Sequence, residues 1–234
     1  MTTVEHRAVA RRLTLDRLGS YLDASDGRLE PALALYDWNV DVGGAFHRDL
    51  SRFEVVFRNA LDAALVAHGR RQGWPVVWYR RPELFPGKRG SRARHDLAAA
   101  CSRAAAPDGR ERHGKVIAEL SFGFWRYLCS SHYLTSLWVP ALVDAFPLHP
   151  AAPDPRRVRA DVDDRVQRLH YLRNRIAHHE PVHQRDLAND LSNLLEVTGW
   201  MCGLSRAWIE RTSRTSLVLD LRPGGTGLAR ADAS

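Results

Sequence analysis

The stretch YDWNVDVGGAFHRDLSRFEVVFRNALDAALVAHG, Tyr36 to Gly69, decides the fold class. Its apolar side chains recur at alternating steps of three and four residues, which places them along one face of an α-helix. The recurring positions are Val42, Phe46, Leu50, Phe53, Phe57, Ala60 and Ala64. The stretch therefore predicts one long amphipathic helix that ends at Gly69.

Helical patterns continue on both sides of this stretch. Upstream, Asp26-Gly27 is a turn signal between two predicted shorter helices. Further helices are predicted at residues 13–22, 29–36, 156–179 and 185–211, with an apolar stretch at 115–147. Because no strand alternation of useful length and no internal repeat appears, the sequence predicts an all-α protein.

A basic segment interrupts the helical pattern at about residues 70–113. It is dense in arginine, proline and glycine, which favours a loop-rich insertion with a short helix near Arg94 to Ala105. We expect a single helical domain over residues 1–212 that includes this insertion. Residues 213–234 end in glycine, arginine and alanine, and we expect them to form a flexible C-terminal tail.

Composition indicates a folded protein outside the membrane. The 234 residues are 44% hydrophobic, yet no window is apolar enough to span a bilayer, and the N-terminus lacks the pattern of a signal peptide. We therefore expect cytoplasmic localisation and no membrane partner. The three cysteines show no C-x-x-C spacing, so they predict neither a disulfide framework nor a thiolate metal site.

The basic charge points to a polyanionic partner. The formal net charge is +7, and all but Lys88 and Lys115 of the 34 basic residues are arginines. A basic chain attracts polyanions, and the guanidinium group binds phosphate in a bidentate manner. Because a GC-rich genome also enriches arginine, this bias supports a nucleic acid partner without proving one.

The segment LRNRIAHHEPVH, Leu172 to His183, contains two motifs with different chemistries. Arg173 and His178 fit an Arg-x4-His nuclease pair, whereas His179, Glu180 and His183 fit the HExxH motif of a zinc peptidase. HExxH needs both histidines on one face of an unbroken helix, and Pro181 lies inside the motif. The sequence therefore favours the first reading and predicts no metal site.

The Arg-x4-His spacing alone is weak evidence, because chance gives about 4.5 arginine–histidine matches at four to six intervening residues in such a chain. Context distinguishes Arg173, which falls about 20° from Val162 on the apolar face of its predicted helix. One explanation is an ion pair with an acid such as Glu54 or Asp164; the other is a functional guanidinium.

His178 follows Arg173 by five residues, which turns it about 140° away on an ideal helix. Pro181 disfavours helical backbone at Glu180, so the helix should end close to His178. In the last turn, the helix dipole favours a protonated imidazole. An arginine beside such a histidine is an acid/base pair suited to phosphodiester chemistry.

The segment LRNRIAHHEP, with asparagine directly after arginine, resembles the Arg-Asn-x3-His signature of the HEPN ribonuclease superfamily. The segments ALALYDWN, FEVVFRNALDAAL, AELSFGFWRYL and LHYLRNRIAHHEP follow one another as in the bacterial Abi-like (abortive infection) proteins. The resemblance covers most of residues 13–200. It implies a HEPN-like helical bundle, metal-independent endoribonuclease activity without a cofactor, and a homodimer with a composite active site.

The resemblance also implies roles for the motif residues. Arg173 would bind the scissile phosphate of an RNA substrate, Asn174 would orient the phosphate or the histidine, and His178 would transfer a proton from the ribose 2′-OH. It implies a toxin-like effector of antiviral defence, with an antitoxin or RNA partner. The alternative is a non-catalytic RNA-binding or regulatory module on the same fold.

Further residues are candidates for RNA binding. Glu54 and Arg58 are four residues apart on the long helix, where a plain salt bridge is the alternative. His179 also satisfies the motif spacing from Arg173. The basic insertion contributes Arg89, Arg92 and Arg94, for which a solvated charged loop is the alternative.

Overall fold

A computed structural model describes residues 3–105 and 111–224, and helices dominate this part of the chain. The α-helices are α1 (Thr3–Leu13), α2 (Leu15–Asp23), α3 (Leu29–Arg71), α4 (Gly87–Ala104), α5 (His113–Glu119), α6 (Phe122–Tyr127), α7 (Pro155–Ala177), α8 (Leu187–Met201), α9 (Gly203–Thr212) and α10 (Thr215–Asp220). Short 3-10 and π turns connect them. The described residues contain no strand, which confirms the all-α prediction.

The long helix α3 organises the fold. It contains the quoted stretch and also the shorter helix predicted at residues 29–36, since the only proline of that region, Pro31, lies in the first turn, where it breaks no helical hydrogen bond. Of the predicted apolar face, all positions except Ala60 are buried. The Asp26-Gly27 turn is confirmed, because both residues have positive φ angles, 52° and 72°.

Contacts divide the chain into two compact units. In the described residues, the first unit comprises 3–49, 172–191 and 212–224, and the second comprises 50–105, 111–171 and 192–211. The single domain expected over residues 1–212 stays a prediction. The candidate catalytic residues lie in the first unit.

The C-terminal segment is part of the first unit instead of a free tail. The buried carboxylate of Asp49 accepts hydrogen bonds from the hydroxyls of Ser213 and Thr215, the latter at 2.7 Å. The indole of Trp38 donates to the carbonyl of Val218 at 2.7 Å. These bonds correct the expected flexible tail for residues 213–224; residues 225–234 lie outside the described part of the chain.

The predicted insertion is also corrected, because it is largely helical and contributes to the core of the second unit. Helix α4 runs from Gly87 to Ala104, and half of its buried residues are alanines. Trp78 and Phe85 are buried beside it, and the indole of Trp78 donates to Asp62 at 2.7 Å. The part of the insertion at residues 106–110 lies outside the description.

The helices at the C-terminal side differ from the prediction in one respect. Helix α7 matches the predicted 156–179 closely, whereas the predicted 185–211 helix is interrupted at Cys202 between α8 and α9. Within residues 3–105 and 111–224, every helix is too short or too polar to cross a membrane.

Candidate active site

The motif lies where α7 ends, and the helix end has a defined geometry. The amide of Glu180 donates to the carbonyl of Arg175 at 2.8 Å, and the amide of His179 donates to that of Ile176 at 3.0 Å. His179 has a φ angle of 55°. These two bonds around a left-handed residue form a Schellman motif, which satisfies carbonyls that the helix end would otherwise leave unpaired. The predicted helix end near His178 is confirmed.

Arg173 and Asn174 lie in the last turns of α7, and both are half-buried. The fully buried face of the helix runs through Val158, Val162, Val166, Leu169 and Leu172. Arg173 lies within the angular range of this face, about 20° from Val162, but in the last turns of the helix it is only half-buried. Asp164, one of the two acids considered as its partner, instead pairs with Arg168 at 3.3 Å.

His178 and His179 are both exposed at the helix end. The amide of His178 donates to the carbonyl of Asn174 at 3.0 Å, which is the last α-helical hydrogen bond. The next residue, His179, adopts the left-handed conformation. The backbone therefore changes direction between the two histidines. Arg173, Asn174 and His178 thus all lie at the end of α7, where His178 is exposed and the other two are half-buried.

Two arginines fix the backbone beyond the helix. The guanidinium of Arg175 donates to the carbonyl of Pro181 through Nε at 2.9 Å and Nη2 at 2.6 Å, and its Nη1 lies 3.2 Å from the carboxylate of Glu180. Arg17 of α2 donates to the carbonyl of His179. The turn is therefore fixed by side chains that the motif itself does not include.

Asn39 on α3 fixes the next two residues. Its Oδ1 accepts hydrogen bonds from the amide of Val182 at 2.7 Å and from that of His183 at 3.1 Å. Both backbone groups are buried, and an unpaired buried amide costs about 1–3 kcal/mol. Asn39 thus anchors the segment that follows Pro181. The sequence analysis missed this role, because the bonded residues are far apart in the chain.

His183 has a structural environment. Its side chain is 1% exposed, its Nε2 lies 3.2 Å from the Ser20 hydroxyl, and its ring lies 4.6 Å from that of Tyr21. Burial, followed by the charges of Arg222 and Arg175, lowers the pKa of His183 from its ordinary value. The imidazole is held neutral, in a packed position separate from the exposed His179.

This arrangement does not fit HExxH, because the helix ends before Glu180 and the two histidines differ in exposure. Across the described ranges, no group of three or more His, Cys, Asp and Glu side chains is placed to hold a metal ion. The zinc peptidase alternative therefore has no support in the geometry of this segment.

A pocket of about 710 Å³ adjoins the helix end within the first unit. Its walls come from α2, α3 and the end of α7, and they include Arg17, Tyr36, Asn39, Val40, Gly43, Gly44, Ile176, Ala177, His179 and Glu180. Ala177 and His179, the residues on both sides of His178, line the pocket, whereas His178 itself does not. We call this the α3–α7 pocket. The sequence analysis missed it, although the pair Gly43-Gly44 inside an apolar helix is a visible signal.

The other candidates lie in the second unit. The Nε of Arg58 is buried without a hydrogen-bond partner among the described residues. Glu54, four residues earlier on the same helix, is half-buried. Their role in RNA binding stays a prediction.

The three arginines of the basic segment lie on α4 and differ in environment. Arg89 is exposed, and the side chain of Arg92 is 77% exposed with Asp96 at 4.0 Å. Arg94 instead donates to the carbonyl of Phe85, and to that of Gly87 at 3.4 Å. Arg89 and Arg92 remain candidates for phosphate contacts, whereas Arg94 has a local structural contact.

Comparison of the chain with protein-family models, curated proteins and solved structures finds no match. The case for a function therefore depends on the residues and geometry of the chain itself.

Proposed function

We propose that this protein is a metal-independent endoribonuclease of the HEPN, Abi-like type. The observation that carries the proposal is the end of α7, where Arg173 and Asn174 precede a Schellman turn that leaves His178 exposed. A guanidinium, an amide and an imidazole at one exposed helix end are the groups needed for phosphodiester cleavage by internal transfer.

In this proposal, His178 accepts the proton of the ribose 2′-OH, and the 2′ oxygen attacks the adjacent phosphorus. The bond from phosphorus to the 5′ oxygen breaks, that oxygen takes up a proton from the solvent, and His178 releases its own proton to the solvent. Arg173 stabilises the negative charge that develops on the phosphoryl oxygens, and Asn174 orients the phosphate or the imidazole. The products are a 2′,3′-cyclic phosphate and a 5′-hydroxyl.

We further propose a two-fold homodimer in which the two helix ends form one composite site. The five-residue spacing turns His178 about 140° from Arg173 on an ideal helix, so a second copy can supply the missing partner across the dyad. Light scattering at micromolar concentration should give the mass of a dimer. A monomer that retains full activity would contradict this part of the proposal.

The cellular role that we propose is that of a toxin-like effector of abortive infection. Such an effector would require control by a trigger and by an antitoxin or RNA partner. Induced expression should therefore arrest growth, and Arg173→Ala should relieve the arrest. Equal toxicity of the two chains would argue against RNA cleavage as its cause.

A second candidate is an RNA-binding or regulatory module without catalysis. It is favoured by the exposed side chains of Arg89 and Arg92 on α4, which suit contacts with the phosphate backbone. RNA binding with no fragments over long incubation would support this candidate.

The decisive experiment incubates purified protein with end-labelled RNA in the presence and absence of EDTA. We expect cleavage in both conditions, with 2′,3′-cyclic phosphate or 3′-phosphate ends and 5′-hydroxyls. Arg173→Ala, purified in parallel, controls for contaminating nucleases. Loss of cleavage with EDTA, or 5′-phosphate ends, would overturn the proposed mechanism.

A further inference from the structure

The α3–α7 pocket contains a hydrogen-bond donor that the fold does not use. Asn39 is only 7% exposed, and its Oδ1 accepts from two backbone amides that have to be paired, which fixes the orientation of the side-chain amide. Its Nδ2 therefore points away from them, and it makes no hydrogen bond within residues 3–105 and 111–224. Because Asn39 lines the pocket, this donor is available to a ligand.

The same pocket offers an acceptor of fixed charge. Glu180 belongs to the pocket lining, and its side chain is 47% exposed. Arg175 lies 3.2 Å away and keeps it oriented. An ionised carboxylate accepts hydrogen bonds only, and it can accept two parallel N–H groups.

The remaining walls suit a flat ring. Gly43 and Gly44 leave their part of the α3 wall without side chains, and a Cβ added at Gly44 would meet no atom within 4 Å. Ile176 and Val40 supply apolar surface, and Tyr36 supplies an aromatic ring. The volume of about 710 Å³ is in the ordinary range for pockets that hold small molecules.

We infer that the α3–α7 pocket binds the nucleobase beside the scissile phosphate and selects guanine; the link to cleavage rests on the proposed function. Guanine presents one carbonyl acceptor next to two N–H donors on its pairing edge. Asn39 can donate to the carbonyl, and Glu180 can accept both N–H groups. Adenine is disfavoured, because its bidentate contact with asparagine requires a free Oδ1, which is occupied here.

The test uses the full chain and nucleotides that it cannot cleave. Calorimetry or NMR titration should show 3′-GMP binding about tenfold more tightly than 3′-AMP, 3′-CMP or 3′-UMP, the discrimination that a good bidentate contact provides. Equal affinity for all four nucleotides would overturn the inference.

Two conservative variants locate the selectivity. Asn39→Asp keeps the acceptor for Val182 and His183 but removes the donor, so it should abolish the preference for 3′-GMP. Its added charge should weaken the binding of every nucleotide, so the readout is the ratio of the affinity for 3′-GMP to that for the other nucleotides. Glu180→Gln should lose the preference likewise, whereas Glu210→Gln, another half-exposed glutamate paired with an arginine, should keep it. An unchanged ratio in both pocket variants contradicts the inference.

A third variant keeps the test decisive if Asn39→Asp does not fold. Gly44→Leu should block the pocket, since its side chain enters open space, and should weaken 3′-GMP binding at least about tenfold. Gly19→Leu is the matched control, because its Cβ also meets nothing within 4 Å and Gly19 does not line the pocket. Cleavage of RNA without guanine preference would sink this inference alone, and selective 3′-GMP binding without cleavage would sink only the nuclease proposal.

Discussion

The run HHEPVH contains two neighbouring regions with opposite environments. His178 and His179 are exposed around the helix end, whereas His183, four residues after His179, is 1% exposed and packed against Tyr21. The same residue type therefore occupies two environments within six residues. Before Pro181 the imidazoles are exposed to solvent, and after it the imidazole is part of the core.

Backbone hydrogen bonding explains the difference. The Schellman motif completes the backbone hydrogen bonding at the end of α7 locally, so the side chains of His178 and His179 can face solvent. Beyond Pro181, the backbone amides of Val182 and His183 donate hydrogen bonds to the buried Asn39, so this segment packs in the interior. A sequence motif therefore indicates the chemistry of its residues only when the burial of each residue is also known.

The largest expected effect is on cleavage, and it should occur on the exposed side alone. His178→Ala should reduce the rate by about 10²–10⁴-fold, the usual cost of removing an acid/base group, while the protein stays folded. His183→Gln, which can still donate to the Ser20 hydroxyl, should retain most of the activity. Single-turnover cleavage of one labelled RNA measures both. Comparable losses in the two variants would break the distinction.

Stability should show the reverse pattern. His183→Ala removes a buried ring and should lower the free energy of unfolding by about 2–4 kcal/mol, because the packing around Tyr21 collapses only in part. His178→Ala should change it by less than about 0.5 kcal/mol, as is usual for an exposed position. Urea unfolding followed by circular dichroism provides the comparison. Equal stabilities would mean that the packing of His183 is wrongly described.

The three candidate arginines of α4 likewise differ, because two of them are exposed and one is hydrogen-bonded to the backbone. If RNA contacts this helix, replacing Arg89 and Arg92 by alanine should reduce the slope of log affinity against log salt by about 1.4, which is 0.7 for each lost phosphate of a single strand. Arg94→Ala should change the slope little and lower stability instead, because its guanidinium donates to two backbone carbonyls. A slope unchanged by the double variant would assign the helix surface to solvent.

Sequence predicts best what depends on strongly apolar residues and on local turn chemistry. The face of α3 from Val42 to Phe57 and the end of α7 before Pro181 were both foreseen, since each is set by neighbours in the chain. Helix α4 was underestimated, because its buried face carries only one large aliphatic residue, Leu97, and the surrounding arginines dominate the pattern. The break at Thr14, with a φ angle of 70°, has no comparable signal.

The candidate site divides in the same way. Arg173, Asn174 and His178 can be read from the motif, whereas Asn39, Arg17 and the α3–α7 pocket could not be found. Their contacts join segments more than 140 residues apart, as the Asn39–Val182 bond illustrates. Only the folded chain brings these residues together.

A lower pH should reduce the stability that the buried His183 provides. Burial lowers the pKa of His183 in the folded state, so the unfolded chain binds its proton more readily. Its contribution to stability is complete above the ordinary pKa of about 6.5 and is lost as pH falls through the folded value. His68 and His149 are lowered for the same first cause, so His183→Gln should reduce this pH dependence without removing it. The free energy of unfolding at pH 7.5 and 5.5, measured for the wild type and for His183→Gln, gives the difference. The same change with pH in both proteins would exclude a neutral, buried His183.

The smallest expected effect concerns the residue at the turn itself. His179 has a φ angle of 55°, a conformation that glycine adopts without the steric cost of a Cβ. His179→Gly should therefore raise the free energy of unfolding by about 0.5–1 kcal/mol, and His179→Ala should not. The same variant tests which imidazole reacts: if His178 transfers the proton, His179→Gly retains cleavage. A more stable protein without activity would transfer the catalytic role to His179, whereas a less stable one would contradict the left-handed turn.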